Sequence, residues 1–149
     1  VSADAAVLRN KYGIPGMSVL QFLFYDGDNI NDIEEDTVLY TGTHDNDTSV
    51  GWFESLNDKL SSDKINDLKS ILNSDSKGMN WSMIEYSFQS RAKTVIVPVQ
   101  DILGLGSDSR MNTPGTISEN NWSWRMDGSE LKDTMLRKMR DITEEANRA

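Results

Sequence analysis

The stretch "TVLYTGTHDNDTSVGWF", residues 37 to 53, changes character in its middle. Its first six residues, Thr37 to Gly42, are rich in β-branched and aromatic residues, a composition that favours a strand, and from Ser49 the chain reads as the start of a helix. Between them stand His44, the only histidine in the chain, and Asp45, Asn46 and Asp47. A His-Asp-Asn-Asp cluster is therefore expected on a strand-to-helix loop. In a parallel α/β architecture that is the end of the sheet where ligands bind and chemistry happens.

On the N-terminal side, "SADAAVLRNKYG" (Ser2 to Gly13) reads as a helix with Ser2 as N-cap and Gly13 as its stop, and Pro15 forbids continuation. "MSVLQFLFY" (Met17 to Tyr25) is almost continuously apolar, as expected of a strand buried on both faces. The polar run "DGDNINDIEED" after it is an acidic loop, in which Asp26, Asp28 and the "IEED" charges are solvated. On the C-terminal side, a short helix is expected from Ser49 to Leu56. "SSDKINDLKSILN" places Ile65, Leu68, Ile71 and Leu72 near helical spacing behind a Ser62 cap. "NWSMIEYSFQSRA" puts Trp81, Ile84, Tyr86 and Phe88 on a further helix. "TVIVPVQDILGLG" (Thr94 to Gly106) reads as a third buried strand, in which Pro98 implies a bulge or an early end of pairing because proline cannot donate to a ladder. The closing segment repeats Leu131, Met135, Met139 and Ile142 every three or four residues, a packed helical stripe.

This order of helices and strands is the alternation of parallel α/β folds. Three strands are too few to close a barrel, and an open sheet of three would leave apolar edges exposed, so the pattern reads as the last part of something larger. Val1 is no initiator methionine, which fits a processed, trimmed or partial chain.

Composition narrows the partners. With 149 residues, 37% of them apolar, there is enough material for a core, and the formal net charge of −9 repels a phosphate backbone. Nucleic acid and anionic membrane surfaces are poor partners, and a neutral or cationic ligand fits better. The absence of cysteine removes disulfides and thiolate sites, and a single histidine excludes a His-rich metal site. Apolar runs are only a few residues long, far short of the roughly 20 that span a bilayer. The expectation is a soluble, cytoplasmic protein.

"GIPGMSVLQFLF" (Gly13 to Phe24), "YTGTHDNDTSVGW" (Tyr40 to Trp52), "VPVQDILGLGSDSRMNTPGT" (Val97 to Thr116) and "NWSWRM" (Asn121 to Met126) resemble, in the same order, the C-terminal part of 4-α-glucanotransferases. These are the amylomaltases and disproportionating enzymes of glycoside hydrolase family seventy-seven. The resemblance implies that residues 1–149 are the C-terminal portion of a (β/α)₈ TIM barrel, about its last three strands and their helices. It also implies an enzyme that cleaves α-1,4-glucans with retention, passes the segment to another sugar's 4-hydroxyl, and uses no cofactor and no metal. Its partners would be maltooligosaccharides and the remaining N-terminal part of the barrel.

Retention requires a carboxylate nucleophile and an acid/base carboxyl group roughly 5 Å apart. In the family a third carboxylate, the aspartate of the His-Asp-Asn motif, stabilises the oxocarbenium-like charge; here that is Asp45. The resemblance further implies that His44 donates to a hydroxyl of the same sugar and that Phe22 is an aromatic near the cleavage point, where a ring can stack on a sugar. It makes Asn46 a weaker sugar contact and Asn112, Pro114 and Gly115 a loop lining the groove. The competing readings are a cap carboxylate for Asp45, turn-building for Asn46, Asp47, Asn112, Pro114 and Gly115, and a buried strand residue for Phe22. Gln100 and Arg110 either face the cleft or support residues that do. Trp122 and Trp124 are read as lying on one side of an extended segment packed against the barrel. The family's nucleophile and acid/base motifs have no match here. The remaining alternatives are a non-catalytic α-glucan-binding module and an acidic interaction protein that keeps these segments for packing alone.

Overall fold

A computed structural model of the chain describes residues 3–27, 29–73 and 78–148. Ser2 and Asp28, and the side chain of Asp26, lie outside the described residues. Three short strands, β1 (Gly16–Val19), β2 (Thr37–Tyr40) and β3 (Thr94–Ile96), form one parallel sheet in the order β1-β2-β3. Ser18 lies opposite Leu39, and Leu39 opposite Val95. Residues two apart share a face of a strand, and the Leu39 face is the covered one. Leu39 is fully buried in a core with Leu20, Trp52, Phe53, Leu56, Met79 and Met83. On the other face Met17 is 63% and Ile96 42% exposed.

The helices follow the sequence signals with local shifts. Helix α1 (Ala3–Lys11) is followed by Gly13 at φ 61°. Two apolar runs expected as single strands each divide in two. The first is β1 followed at once by α2 (Leu20–Asp26), which ends at Gly27 with φ 73°. Helix α2 turns Leu20 and Gln21 inward and leaves Phe22 and Tyr25 each 54% exposed. The run is therefore not one strand buried on two faces but a strand and a helix each buried on one, which a short apolar string cannot distinguish. Phe22 is accordingly an exposed helical residue and not a buried strand residue.

The second run was also expected to be one strand, but β3 stops at Ile96 and a further helix occupies Val99–Leu103. Pro98 caps that helix with φ −58°, an angle its ring favours, and its missing N–H would be unpaired at a helix start in any case. Between these two divided runs lie α3 (Ser49–Leu56), α4 (Ser62–Ile71) and α5 (Met79–Phe88), which makes Val99–Leu103 helix α6. The cap residue of α4 is Ser61 rather than Ser62, and its side chain makes no cap hydrogen bond. Ile65, Leu68 and Leu72 face the core, while Ile71 points out.

Helix α7 (Asp133–Glu145) buries Ile142 against Ile84 and Phe88, with Met139 alongside. Leu131 precedes the helix and, like Met135, is only half-buried, so the predicted stripe is narrower than its spacing implied. The guanidinium of Arg148 fastens the end of the chain by donating to the carbonyls of Phe88, Ser90 and Ala92 at 2.8, 2.6 and 2.6 Å.

Leu39→Ala should lower unfolding stability by about 2–5 kcal/mol, the usual cost of a core Leu truncation. Ile71→Ala, on the outer side of α4, should stay within about 0.5 kcal/mol. Urea unfolding of the two variants, followed by circular dichroism, checks both.

Candidate active site

The loop between β2 and α3 is built by its own polar side chains. Asn46 Oδ1 accepts from the Thr43 amide at 3.0 Å and the Thr43 hydroxyl at 2.7 Å, while the Asn46 amide donates back to the Thr43 carbonyl at 3.0 Å. That turn lifts His44 and Asp45 outward, leaving their side chains 57% and 51% exposed. Thr48 caps α3, its hydroxyl accepting from the Gly51 amide at 3.1 Å. Asp47 is tied down rather than presented. Its Oδ1 accepts from the Thr48 amide at 2.8 Å, its Oδ2 from the Ser107 hydroxyl at 2.8 Å, and its backbone carbonyl from Gln21 Nε2 at 2.8 Å. Ser107 comes so close to α3 that a Cβ on Gly51 would collide with it and with Asp47, which is why that helical position is a glycine.

A second loop, residues 104–124, folds over the first. Arg110 reaches back to donate to the backbone carbonyl of Asp45 at 2.6 Å and to that of Asn112 at 2.6 Å, and it lies 3.9 Å from Asp47. The Asn112 amide donates to the His44 carbonyl at 3.1 Å, and Asn112 Nδ2 donates to Asp45 Oδ1 at 2.7 Å. His44 Nε2 lies 3.5 Å from the same oxygen. The structure thus brings His44, Asp45, Arg110 and Asn112 together.

It does not bring Phe22, Pro114 or Gly115 into the cavity behind the loop. That cavity, of about 180 Å³, is lined by Thr43, His44, Asn46, Asp47, Gln100 and Arg110 among others. It is smaller than the roughly 300 Å³ at which small-molecule sites begin. Pro114 and Gly115 form an exposed turn, with Gly115 at φ 75° and the Thr116 amide donating to the Thr113 carbonyl at 3.3 Å.

Three features are misplaced, left open or missed by the sequence expectations. Trp122 is not in an extended segment packed on the barrel: it sits in a turn at φ 63°, half exposed, with its ring centroid 5.2 Å from that of His44. A bulky residue in the left-handed region is uncommon and held by its surroundings; here the Trp122 amide donates to the Met111 carbonyl at 2.6 Å. The second is Gln100, which is buried and donates to the Ser109 carbonyl at 3.3 Å. The third is Asp101, only 1% exposed. Its Oδ2 accepts from the Thr41 hydroxyl at 2.6 Å and its Oδ1 from the Ser49 amide at 2.7 Å. Burial pushes its carboxyl above the ordinary aspartate value, the Ser49 and Thr41 hydrogen bonds pull it back, and the charge of Asp47 raises it further. The polar pair Gln100-Asp101 inside an otherwise apolar run was the available signal.

Residues 1–132 match the family model described as 4-alpha-glucanotransferase. The 4-alpha-glucanotransferase of Synechocystis sp. is 41% identical over 97% of this chain and 29% of its own length. The chloroplastic/amyloplastic enzyme of Arabidopsis thaliana is 45% identical over 91% of this chain and 23% of its own length. The amylomaltase from Streptococcus agalactiae in complex with acarbose superposes on the whole chain and on 30% of its own, with a TM-score of 0.89 and 30% identity. The chain therefore spans less than a third of the length of these relatives.

Arg110→Ala should leave the core intact and loosen the second loop. Hydrogen exchange at the Asn112 amide should accelerate about 10–100-fold, the loss expected when hydrogen bonds from a charged donor are removed. Amides of β2 should exchange at the parental rate.

Proposed function

The chain belongs to the 4-α-glucanotransferases of glycoside hydrolase family 77, and from that membership we propose that residues 1–149 supply one flank of the catalytic cleft of such an enzyme. On this reading the three strands are the C-terminal part of a (β/α)₈ barrel. The substrates are α-1,4-glucans, consistent with the acarbose complex of the Streptococcus agalactiae relative. A cytoplasmic location belongs to the same proposal, with the plastid of the plant relatives as the other compartment the family uses.

The observation that carries the reading is the placement of Asp45. It stands past the C-terminal end of β2, half exposed, held by its backbone and flanked by His44 and Asn112. A retaining transfer passes through an oxocarbenium-like state with positive charge at C1 and the ring oxygen. A fixed anion favours that state over the neutral ground state. Asp45 would supply the anion and His44 a donor to a hydroxyl of the same sugar. The nucleophile and the acid/base would come from strands outside these residues, where the family carries them. Phe22, on the outer side of α2, would offer a ring face to a bound sugar near the cleavage point.

In the full-length protein, Asp45→Asn should retain folding, since the side chain is half exposed, and lower turnover by about 10²-fold or more. Disproportionation of maltotriose and a thermal melt test this together; a folded variant with parental turnover would remove Asp45 from the site. Phe22→Ala should shift product from transfer towards hydrolysis while costing far less than the roughly 3–5 kcal/mol of a buried Phe. The ratio of glucose to longer oligosaccharides is the measurement.

A further inference from the structure

We propose that Asp101 is a positioning residue for the Asp45 loop, its two carboxylate oxygens holding the two stems of residues 42–48 at a fixed span. Thr41 is the last residue before that loop and Ser49 the first residue of the helix after it. One oxygen of Asp101 takes the Thr41 hydroxyl at 2.6 Å and the other takes the Ser49 amide at 2.7 Å. Asp101 is itself anchored, because Asn80 Nδ2 on α5 donates to its backbone carbonyl at 2.8 Å. The loop that presents His44 and Asp45 is thus closed at its base by one side chain arriving from about 50 residues downstream.

Two observations favour positioning over plain packing. The Ser49 amide can only donate and the Thr41 hydroxyl donates here, and the two carboxylate oxygens accept one bond each, so a side chain without oxygens loses both stems at once. Burial also makes the ionised form costly, and an apolar side chain of similar volume would avoid that cost. Among the described residues no hydrogen bond or ion pair joins Asp101 to Asp45, so its effect travels through the loop stems.

The use of turnover as a readout rests on the glucanotransferase reading; the exchange readout does not. The test uses the full-length protein with Asp101→Ala, Thr41→Val and the conservative Thr41→Ser. Asp101→Ala and Thr41→Val should each lower kcat by about 10²-fold, the scale of a misplacement near 1 Å, with KM little changed. The double variant should be no worse than about the weaker single, since both break one clamp. Thr41→Ser, which keeps the hydroxyl, should retain most of kcat. Exchange of the Asn46 and Ser49 amides should quicken about tenfold in Asp101→Ala while that of Leu39 holds. Should Asp101→Ala fail to fold, Thr41→Val against Thr41→Ser decides the matter.

Parental exchange and parental kcat in a folded Asp101→Ala or Thr41→Val protein would overturn the proposal, as would a kcat loss that merely follows the fraction unfolded. An Asp45→Asn control separates the two levels: full turnover there would sink the glucanotransferase role of the loop, while the exchange data would still decide the clamp.

Discussion

One buried carboxylate joins pieces of chain that have no local reason to meet. Asp101 arrives on α6, takes a hydrogen bond from the end of β2 and another from the start of α3, and is held from behind by Asn80 of α5. A polar group at this depth is tolerated only when its hydrogen-bonding capacity is used, and here both oxygens are engaged. The strand end, the helix start and the loop between them therefore share one reference point. The second loop, through Arg110 and Ser107, adds to a base that is already fixed.

The sheet below that point has a different character on its two sides. Parallel strands need long crossovers, and the crossover helices cover one face, where Leu39 packs with Leu20 and Met83. The opposite face shows Met17 and Ile96 to solvent, and among the described residues β1 and β3 each pair on one side only. A barrel resolves both features at once, since closure removes edges and turns the second face into a packed interior. The chain superposes over its whole length on 30% of the amylomaltase from Streptococcus agalactiae.

The polar residues of the loop divide their labour by geometry rather than by type. Asn46 gives its side-chain oxygen to Thr43, and Asp47 gives both of its oxygens to neighbours. Asp45 lies between them with a similar carboxylate, yet its backbone is what Arg110 grips, and its side chain stays half exposed beside Asn112 and His44. A charged group held by its main chain keeps its side chain available at little reorganisation cost, which is the condition for electrostatic stabilisation of a developing charge.

The sequence by itself determined the α/β alternation, the parallel character of the sheet, the helices at Ser49–Leu56 and Met79–Phe88, and the place of His44 and Asp45 on a strand-to-helix loop. These follow from local composition: β-branched runs, capping residues and helical spacing act within a few residues of one another. Tertiary structure alone decided the rest. That "MSVLQFLFY" and "TVIVPVQDILGLG" each divide into a strand and a helix depends on which side of each piece meets the core, which puts Phe22 on an exposed helical face. That Trp122 leaves its expected packing to lie against His44, and that Asp101 closes the Asp45 loop, depends on contacts between residues more than 50 positions apart. Spacing along a chain records periodicity, but a hydrogen bond across such a separation leaves no local trace; only the packed fold brings its donor and acceptor together.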